Sequence, residues 1–491
     1  MLYSLYLQYN LIKRNVIMKQ VKVKVGIFGV GLDTYWGQFD GLLSRLLSYQ
    51  DKICDRIGEM EAEVVSLGMI DTPEKARKGA LLLKQADVDL VFLFVSTYAL
   101  SSTVLPVAQQ LNRPIILLNI QPSPAIDYRL VNSMDDRGKM TGEWLAHCQA
   151  CSIPEFGNVF NRAQIRYDII TGYLTDDFVW NEVQSWIDAA RVVRGMRNNR
   201  MGILGHYYCG MLDVYADVTR LNIVFGGHVE YLEMCELKAL RDGITENDLK
   251  IKLDEFYTKF DVSPFCEPNE LARAAYTSIA LDRLVEFYSL DSMAYYYEGY
   301  QENDYENIVT SIIAGNTLLT GLDIPIAGEC EVKNALAMKI LSLLGAGGSF
   351  SEFYTLDFND DVVLLGHDGP AHFSISEGKV KLVPLPLYHG KPGKGLSIQM
   401  SVKIGKVTLL SVCEGADGVF LLAAEGEAVA GEILHIGNTN SRYRFPCGAR
   451  QFIERWSKAG PSHHCAIGIG HRVNELKKIA FLLSIPVIVI E

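Results

Sequence analysis

The sequence predicts an α/β protein with two doubly wound α/β domains followed by a C-terminal β-barrel-like domain. Three observations indicate this fold class. Apolar runs alternate with amphipathic stretches over the first 150 residues, a second alternating unit follows a basic connector, and the pattern changes near Pro325 to short strands separated by turn residues. Because 491 residues exceed what one hydrophobic core usually serves, we expect three domains, at residues 18–197, 198–326 and 327–491.

The first domain is predicted from four apolar runs that are typical of buried parallel strands, since they are continuous rather than alternating. These runs are Val23–Phe28, Val64–Met69, Val88–Val95 and Pro114–Ile120. The amphipathic stretches between them are long enough for crossover helices, so a ligand crevice is expected beyond the carboxyl ends of the strands. Met18 directly precedes the first strand, and the residues before it are expected to be a tail or to follow a wrongly assigned start.

The later domains are predicted from similar signals. Strand Met201–Leu204 follows the basic connector Arg194–Arg200 and opens the second α/β unit. The third domain begins with a predicted helix over Glu331–Leu344 and continues with a strand-rich region. Its strand and turn signals are Val362–Leu365, Glu377-Gly378, Gly390–Gly395, Leu396–Val402 and Val407–Val412. Short strands with regular turn signals favour a β-barrel or a β-sandwich.

Composition and charge exclude several classes of partner. The net charge of −12 argues against a nucleic acid or an anionic membrane, because both require basic patches. No apolar run reaches the roughly 18 residues that a membrane span needs. The first residues are not expected to form a signal peptide, because they lack a compact apolar segment followed by a small-residue cleavage site. The ten cysteines show no disulfide framework, and Cys148-x-x-Cys151 has no second pair at zinc-site spacing. We therefore expect a cytoplasmic protein with reduced thiols.

A glycine cluster after the first strand raises the hypothesis of a nicotinamide-dependent oxidoreductase. The glycines are Gly26, Gly29 and Gly31, in the wrong order for a dinucleotide-binding turn, because Thr34 stands where the third glycine is needed. The second strand also ends without the acidic residue that would bind a ribose hydroxyl. Both departures disfavour the oxidoreductase hypothesis.

A metal site is suggested by histidines and glutamates in the last third of the chain. Seven of the ten histidines follow residue 360, among them His367 and the adjacent pair His463-His464 in a glycine-proline turn. Glu329 lies just before a predicted helix, where the helix dipole helps to keep it ionised, and Glu352 precedes the strand that ends at His367. Two carboxylates with two imidazoles suit Mn²⁺ or a related divalent ion and leave positions open for substrate oxygens.

Three segments resemble the L-arabinose isomerase family, within the arabinose/fucose isomerase superfamily. AGECEVKNALAMKI is similar to the family segment that carries a metal-binding glutamate, here Glu329. GSFSEFYTLDFNDDVVLLGH resembles the segment with the second glutamate and a histidine, here Glu352 and His367, and AGPSHH resembles the turn that provides the last ligand, His464. The resemblance spans roughly residues 20–491, and the three segments occur in the family's order.

The resemblance implies an aldose–ketose isomerase that uses Mn²⁺, with Co²⁺ or Mg²⁺ as alternatives. It implies that Glu329 and Glu352 transfer the protons through a cis-enediol while the metal stabilises the developing negative oxygens. It does not assign which glutamate is the base and which the acid. The family forms trimers or hexamers in which the first domain of a neighbour covers the metal, so Gln121 and Tyr98 are expected to serve another chain's active site.

The loops expected to contact the sugar depart from the family pattern. Gly31–Gly37 replaces a glycine-serine-glutamine-histidine-leucine-tyrosine-glycine stretch, and the family's sugar-contacting glutamine is missing from it. At the fourth strand only Gln121 is retained, Tyr98 stands where an aromatic lines the family's sugar pocket, and Met211 is the clear match in the central domain. The default function is arabinose catabolism, L-arabinose to L-ribulose. The alternatives are another sugar, such as L-fucose or D-galactose, or a non-catalytic sugar-binding relative.

Overall fold

The computed structural model describes residues 22–111, 113–298, 303–385, 394–436 and 438–491, and the backbone of residues 387–388 and 391–392. The predicted N-terminal tail and the start of the predicted turn at Gly390–Gly395 lie outside the described residues. The chain divides into two compact units, Val21–Arg194 and Gly195–Glu491. The predicted division of the second unit between residues 326 and 327 stays a prediction.

The first unit is a doubly wound α/β domain. Five strands, numbered in chain order, form a parallel sheet in the order β2-β1-β3-β4-β5: β1 Val23–Val30, β2 Ala62–Ile70, β3 Leu90–Val95, β4 Ile115–Gln121 and β5 Tyr167–Tyr173. Its helices are Leu42–Glu59, Pro73–Ala86, Ser101–Leu111, Tyr128–Asn132, Arg137–Leu145, Ile153–Arg162 and Asp177–Arg197. Every residue of β3 is buried, as expected for a strand that is covered on both faces.

The second unit begins with a smaller parallel sheet in the order β10-β9-β6-β7. Its strands are β6 Arg200–Gly205, β7 His228–Leu232, β9 Ser292–Tyr296 and β10 Ile326–Ala327. The helices of this part are Val218–Phe225, Met234–Asp242, Glu246–Lys259, Pro268–Tyr288, Asp304–Val309 and Ile313–Thr320. A three-stranded sheet, in the order β16-β13-β8, joins β8 Asp261–Val262 to β13 Lys381–Pro384 and β16 Leu396–Gln399. The central α/β arrangement is therefore present.

A closed six-stranded barrel completes the second unit. Its strands are β11 Gly347–Asp357, β12 Val362–His367, β17 Gly405–Gly415, β18 Gly418–Val429, β19 Thr439–Arg444 and β20 His464–Ile469. They follow the order β17-β20-β11-β12-β19-β18, and pairing of β17 with β18 closes the ring, while β21 Val487–Ile490 adds to β18. The second unit also contains a short strand pair, β14 Leu387–Tyr388 and β15 Lys391–Pro392, and three further helices, Val332–Leu343, Gly448–Lys458 and Val473–Leu483. The predicted fold class is thus confirmed.

A helix that crosses a membrane must be both long and predominantly apolar. A span needs about 20 predominantly apolar residues. None of the helices in the described part of the chain is both long enough and apolar enough to cross a bilayer.

An aromatic stack holds the Gly448–Lys458 helix against the barrel, and we predict that it dominates local stability. Phe452 is fully buried, its ring lies parallel to that of Phe445 with centroids 3.5 Å apart, and Trp456 packs beside it. Phe452→Ala should lower the free energy of unfolding by about 3–5 kcal/mol, because it leaves a cavity as well as losing apolar burial. Denaturant unfolding measures this. Phe265→Ala is the matched control, since Phe265 is 80% exposed; equal losses in both variants would contradict the prediction.

Candidate metal centre

The barrel register places three of the four predicted metal ligands side by side. Glu352 of β11 lies opposite His464 of β20 and, on its other side, opposite Gly366 of β12. The next residue, His367, ends β12. A Cβ atom on Gly366 would lie 2.0 Å from the carbonyl oxygen of Thr439, so only glycine allows this close approach of β12 and β19. The Gly-His sequence at the end of the strand is therefore a glycine required for packing, followed by a predicted metal ligand.

Glu329 lies on a strained turn between β10 and the Val332–Leu343 helix. Glu329 and Cys330 have φ angles of 53° and 58°, in the left-handed region that costs non-glycine residues energy. Hydrogen bonds hold this turn: the Cys330 N–H donates to the Tyr295 carbonyl at 2.8 Å and the Glu331 N–H to the Gly328 carbonyl at 2.9 Å. Strain of roughly 1–3 kcal/mol per residue persists where the surroundings fix it, and it is concentrated at functional sites.

The four predicted ligands are divided between two groups of side chains of the types that bind metal ions; the groups share His464, and neither contains all four. Glu329, His367 and His464 form the first group, and Glu352, His463 and His464 form the second, each with ligand atoms within 4.8 Å of one another. In the first group Glu329 Oε1 lies 3.9 Å from His367 Nε2, and Glu329 Oε2 lies 3.5 Å from His464 Nε2. Side chains from distant parts of the sequence therefore meet at one end of the barrel.

Two unpartnered atoms show that this set of side chains fits a divalent cation. Glu329 Oε2 and His464 Nε2 are both buried, and neither has a partner within hydrogen-bond distance among the described residues, while His463 Nε2 lies 3.6 Å from Glu329 Oε2, at ion-pair distance. Buried polar atoms are nearly always bonded. A cation between these two atoms would satisfy both, and carboxylate oxygens with imidazole nitrogens suit Mn²⁺ and its neighbours in the first transition row.

Glu331 was missed by the sequence analysis, which treated it only as the start of a helix. Its carboxylate is almost completely buried and lies 2.5 Å from His464 Nδ1, the ring nitrogen that faces away from Glu329. Burial raises the pKa of Glu331 to about 7, against the opposing effect of the nearby Ser462 hydroxyl group. A carboxylate behind a metal-binding histidine fixes its orientation and tautomer. The only signal in the sequence was a second acidic residue two positions after Glu329.

Asp213 connects the loop after β6 to the histidine turn, and no feature of the sequence pointed to it. Its carboxylate accepts hydrogen bonds from His463 Nδ1 at 2.6 Å and from the His463 N–H at 2.9 Å. Its carbonyl oxygen accepts from the Lys333 ammonium at 2.5 Å and from the Ser462 hydroxyl at 3.1 Å. This one residue therefore holds the turn, the loop and the Val332–Leu343 helix together.

The electrostatics of the centre favour an ionised Glu329. Burial acts to raise the pKa of Glu329, but the imidazoles of His463, His464 and His367 outweigh it and hold the pKa below its ordinary value. The Glu329 and Asp213 carboxylates raise the pKa of His463 to about 9. Burial and the neighbouring His367 ring hold the pKa of His464 well below its ordinary value, so this imidazole is neutral. A neutral imidazole and an ionised carboxylate are the forms that bind a cation.

The three predicted sugar-binding residues lie in two different units. Tyr98 follows β3 and Gln121 ends β4, so both stand at the carboxyl edge of the first sheet, and Gln121 Nε2 donates to the Pro124 carbonyl at 3.1 Å. Met211 lies in the loop after β6, two residues before Asp213, and its N–H donates to the Tyr208 carbonyl. The structure places Met211 in the same loop as a residue of the centre. The roles of all three in sugar binding stay predictions.

Comparison with known proteins gives two findings. Residues 347–486, which include the barrel strands from β11 to β20, match the L-arabinose isomerase C-terminal domain. The L-arabinose isomerase of Shewanella baltica (strain OS223) is 22% identical over 411 residues, covering 78% of each chain. The L-arabinose isomerase of Aeromonas hydrophila subsp. hydrophila is 19% identical over 489 residues, covering 97% of this chain and 95% of that one.

The chain is a relative of the L-arabinose isomerases. The resemblance to the L-arabinose isomerases predicted from the three sequence segments is thereby confirmed, and with it the predicted enzyme class, because the relatives carry the name of an aldose–ketose isomerase. Three of the four predicted ligands, Glu352, His367 and His464, lie within the matched domain. Glu329 precedes it and reaches the same centre through the strained turn.

Proposed function

We propose that the protein is a metal-dependent aldose–ketose isomerase that converts L-arabinose to L-ribulose. One observation carries this proposal: two groups of carboxylates and imidazoles share His464, and the facing atoms of Glu329 and His464 are buried with no hydrogen-bond partner in the part of the chain that the structure describes. The family relationship supports the reaction type, because the relatives are named L-arabinose isomerases.

The two glutamates divide the proton transfers of the proposed reaction. An aldose–ketose isomerase moves a proton between neighbouring carbons while a carbonyl and a hydroxyl group exchange. One of Glu329 and Glu352 takes the proton from C2 and returns it to C1, and the other carries the hydroxyl proton, through a cis-enediol. The neighbouring imidazoles lower the pKa of Glu329 and so keep its carboxylate ionised, which is the form that can accept a proton.

Glu329, Glu352, His367 and His464 would hold the metal ion. When bound, the ion polarises the sugar oxygens and stabilises the negative charge that develops on them. We propose Mn²⁺, because oxygen and nitrogen ligands are mixed, although Co²⁺ and Mg²⁺ accept related ligands. Glu331 and Asp213 act on the protein side, by orienting His464 and His463.

We also propose a homo-oligomer in the cytoplasm, a trimer or a hexamer, in which Gln121 and Tyr98 complete the active site of a neighbouring chain. Support comes from their place at the carboxyl edge of the first sheet, where ligands of doubly wound domains bind.

The loop Gly31–Gly37 supports a substrate preference that differs from that of the relatives. The indole N–H of Trp36 in this loop donates to the Asp71 carboxylate at 2.9 Å, and the Trp36 ring packs on Gly31. These contacts hold the ring in place within the protein, so only part of it is available to a sugar.

A panel of aldoses tests the proposed reaction. The protein loaded with Mn²⁺ should form ketose from L-arabinose, and a chelator should abolish the product, because the carboxylates alone do not stabilise the developing oxyanions. Ketose formation is measured for all pentoses and for L-fucose and D-galactose. Turnover of a different aldose would show that the proposed substrate is wrong and that the proposed reaction type is right. Binding of a sugar without turnover of any aldose would show that the protein is a non-catalytic sugar-binding relative and not an isomerase.

A further inference from the structure

A cavity in the first unit has a chemistry that the proposed isomerisation does not use. It has a volume of about 670 Å³, within the usual range for small-molecule sites. One wall is the Leu42–Glu59 helix, and the opposite side is formed by the segment after β4 and by the start of the Asp177–Arg197 helix. The side chains on which the argument depends are Arg45, Lys52, Arg56, Ser123, His147 and Trp180.

The cavity carries positive charge that the described residues do not neutralise. Arg45 is paired with Glu143 through two hydrogen bonds of 2.5 and 2.9 Å. Asp127 also lines the cavity, and its carboxylate accepts from the Leu130 N–H at the start of a helix. Within the described residues neither Lys52 nor Arg56 has a carboxylate within ion-pair distance. In a chain with a net charge of −12, two such cations facing one cavity favour an anionic ligand.

Arg56 is held in an orientation suited to an oxyanion. Its guanidinium lies 4.5 Å from the centre of the Trp180 ring, which is buried, and the Trp180 N–H is fixed by the Leu174 carbonyl at 2.8 Å. Stacking on an aromatic ring restricts the guanidinium without using its N–H groups. Those donors match the paired oxygens of a phosphate group, and Lys52, one helical turn earlier on the same face, adds a second charge.

A hydroxyl and an imidazole group lie in the same cavity. Ser123 Oγ is 3.2 Å from His147 Nε2 and donates to the Ala125 carbonyl at 2.8 Å. His147 Nδ1 lies 3.1 Å from the Glu143 carbonyl oxygen, which favours a proton on Nδ1 and leaves Nε2 as an acceptor. Hydroxyl and imidazole groups beside the cations are suited to the hydroxyls of a polyol.

We propose that this cavity binds a phosphorylated sugar, with the phosphate on Lys52 and Arg56 and the sugar hydroxyls at Ser123 and His147. A neutral aldose leaves the two cations without a partner, so this ligand differs from the substrate of the proposed isomerisation. The inference is independent of the metal centre.

Calorimetric titration of the full chain tests the proposal with three probes: a pentose 5-phosphate, inorganic phosphate and L-arabinose. The pentose phosphate should bind most tightly, and its affinity should fall as the salt concentration rises. Lys52→Gln and Arg56→Gln should each weaken it by roughly 10-fold or more, which is the loss of one charge-assisted hydrogen bond. Arg56→Lys should fall between Arg56→Gln and the parent, since it keeps the charge and loses the paired donors.

Two controls make the outcome decisive. Lys78→Gln removes the same charge from an exposed position on another helix of the unit and should leave binding unchanged. Glu329→Gln should also leave it unchanged, which separates this cavity from the metal centre. Failure of the pentose phosphate to bind overturns the proposal. It is equally overturned if inorganic phosphate binds as tightly as the pentose phosphate, or if neither Lys52→Gln nor Arg56→Gln affects the affinity.

Discussion

Glu329→Gln and Glu352→Gln are each expected to lower turnover by about 10²–10⁴-fold, the usual contribution of a positioned acid or base. Glutamine has nearly the same shape and cannot accept the transferred proton. It also replaces a charged metal ligand by a weaker neutral one, so the two losses add in the same direction. Steady-state ketose formation, measured over a range of Mn²⁺ concentrations, separates them, because saturating metal restores only the loss due to weaker binding.

The matched control for these two variants is Glu425→Gln. Glu425 is another barrel glutamate beside a histidine, with its Oε2 3.6 Å from His471 Nδ1, but it belongs to neither group of metal-binding side chains. Its replacement should leave turnover within a few-fold of the parent, as for most partly exposed positions. Full activity of both Glu329→Gln and Glu352→Gln at saturating Mn²⁺ would show that neither glutamate transfers a proton, and would contradict the proposed mechanism.

Local patterns in the sequence were sufficient to predict several strands and the position of one predicted ligand at the end of a strand. The run Val362–Leu365 and the following Gly-His dipeptide correspond to β12 and to its last residue, His367. The four apolar runs of the first domain correspond to β1, β2, β3 and β4. Strands β1, β3 and β4 are buried along nearly their whole length, as continuous apolar runs predict, whereas β2 at the edge of the sheet is only partly buried. These features depend on neighbours in the sequence, which is why they could be predicted.

The supporting residues could not be predicted, because their partners are far away in the sequence. Glu331 meets His464, 133 residues later, and Asp213 meets His463, 250 residues later. Which strand lies beside which is set by closure of the barrel, through pairing of β17 with β18, and not by any short motif. A carboxylate near a helix start is common, so Glu331 acquired meaning only once its distance to the imidazole was known.

Glu331→Leu is expected to weaken Mn²⁺ binding by about 10–100-fold, as is usual when the partner behind a metal-binding histidine is lost. The carboxylate lies 2.5 Å from His464 Nδ1 and directs the opposite nitrogen, Nε2, toward Glu329. Leucine fills the space and provides no acceptor. The buried Nδ1–H is then unpaired, at a cost of about 1–3 kcal/mol, unless the ring turns or changes tautomer, and either change withdraws Nε2 from the metal.

Glu331→Gln distinguishes orientation from simple packing. Its side-chain oxygen still accepts from Nδ1–H, so it should recover most of the Mn²⁺ affinity that Glu331→Leu loses, while the loss of negative charge leaves it weaker than the parent. Metal binding is measured from the disappearance of the free Mn²⁺ signal in electron paramagnetic resonance, and unfolding of the metal-free variants is measured in parallel. If Glu331 served packing alone, leucine would preserve the affinity, because an apolar side chain is favoured at a site that is 1% exposed. Equal Mn²⁺ affinity in the leucine variant and the parent would therefore show that His464 keeps its orientation without Glu331.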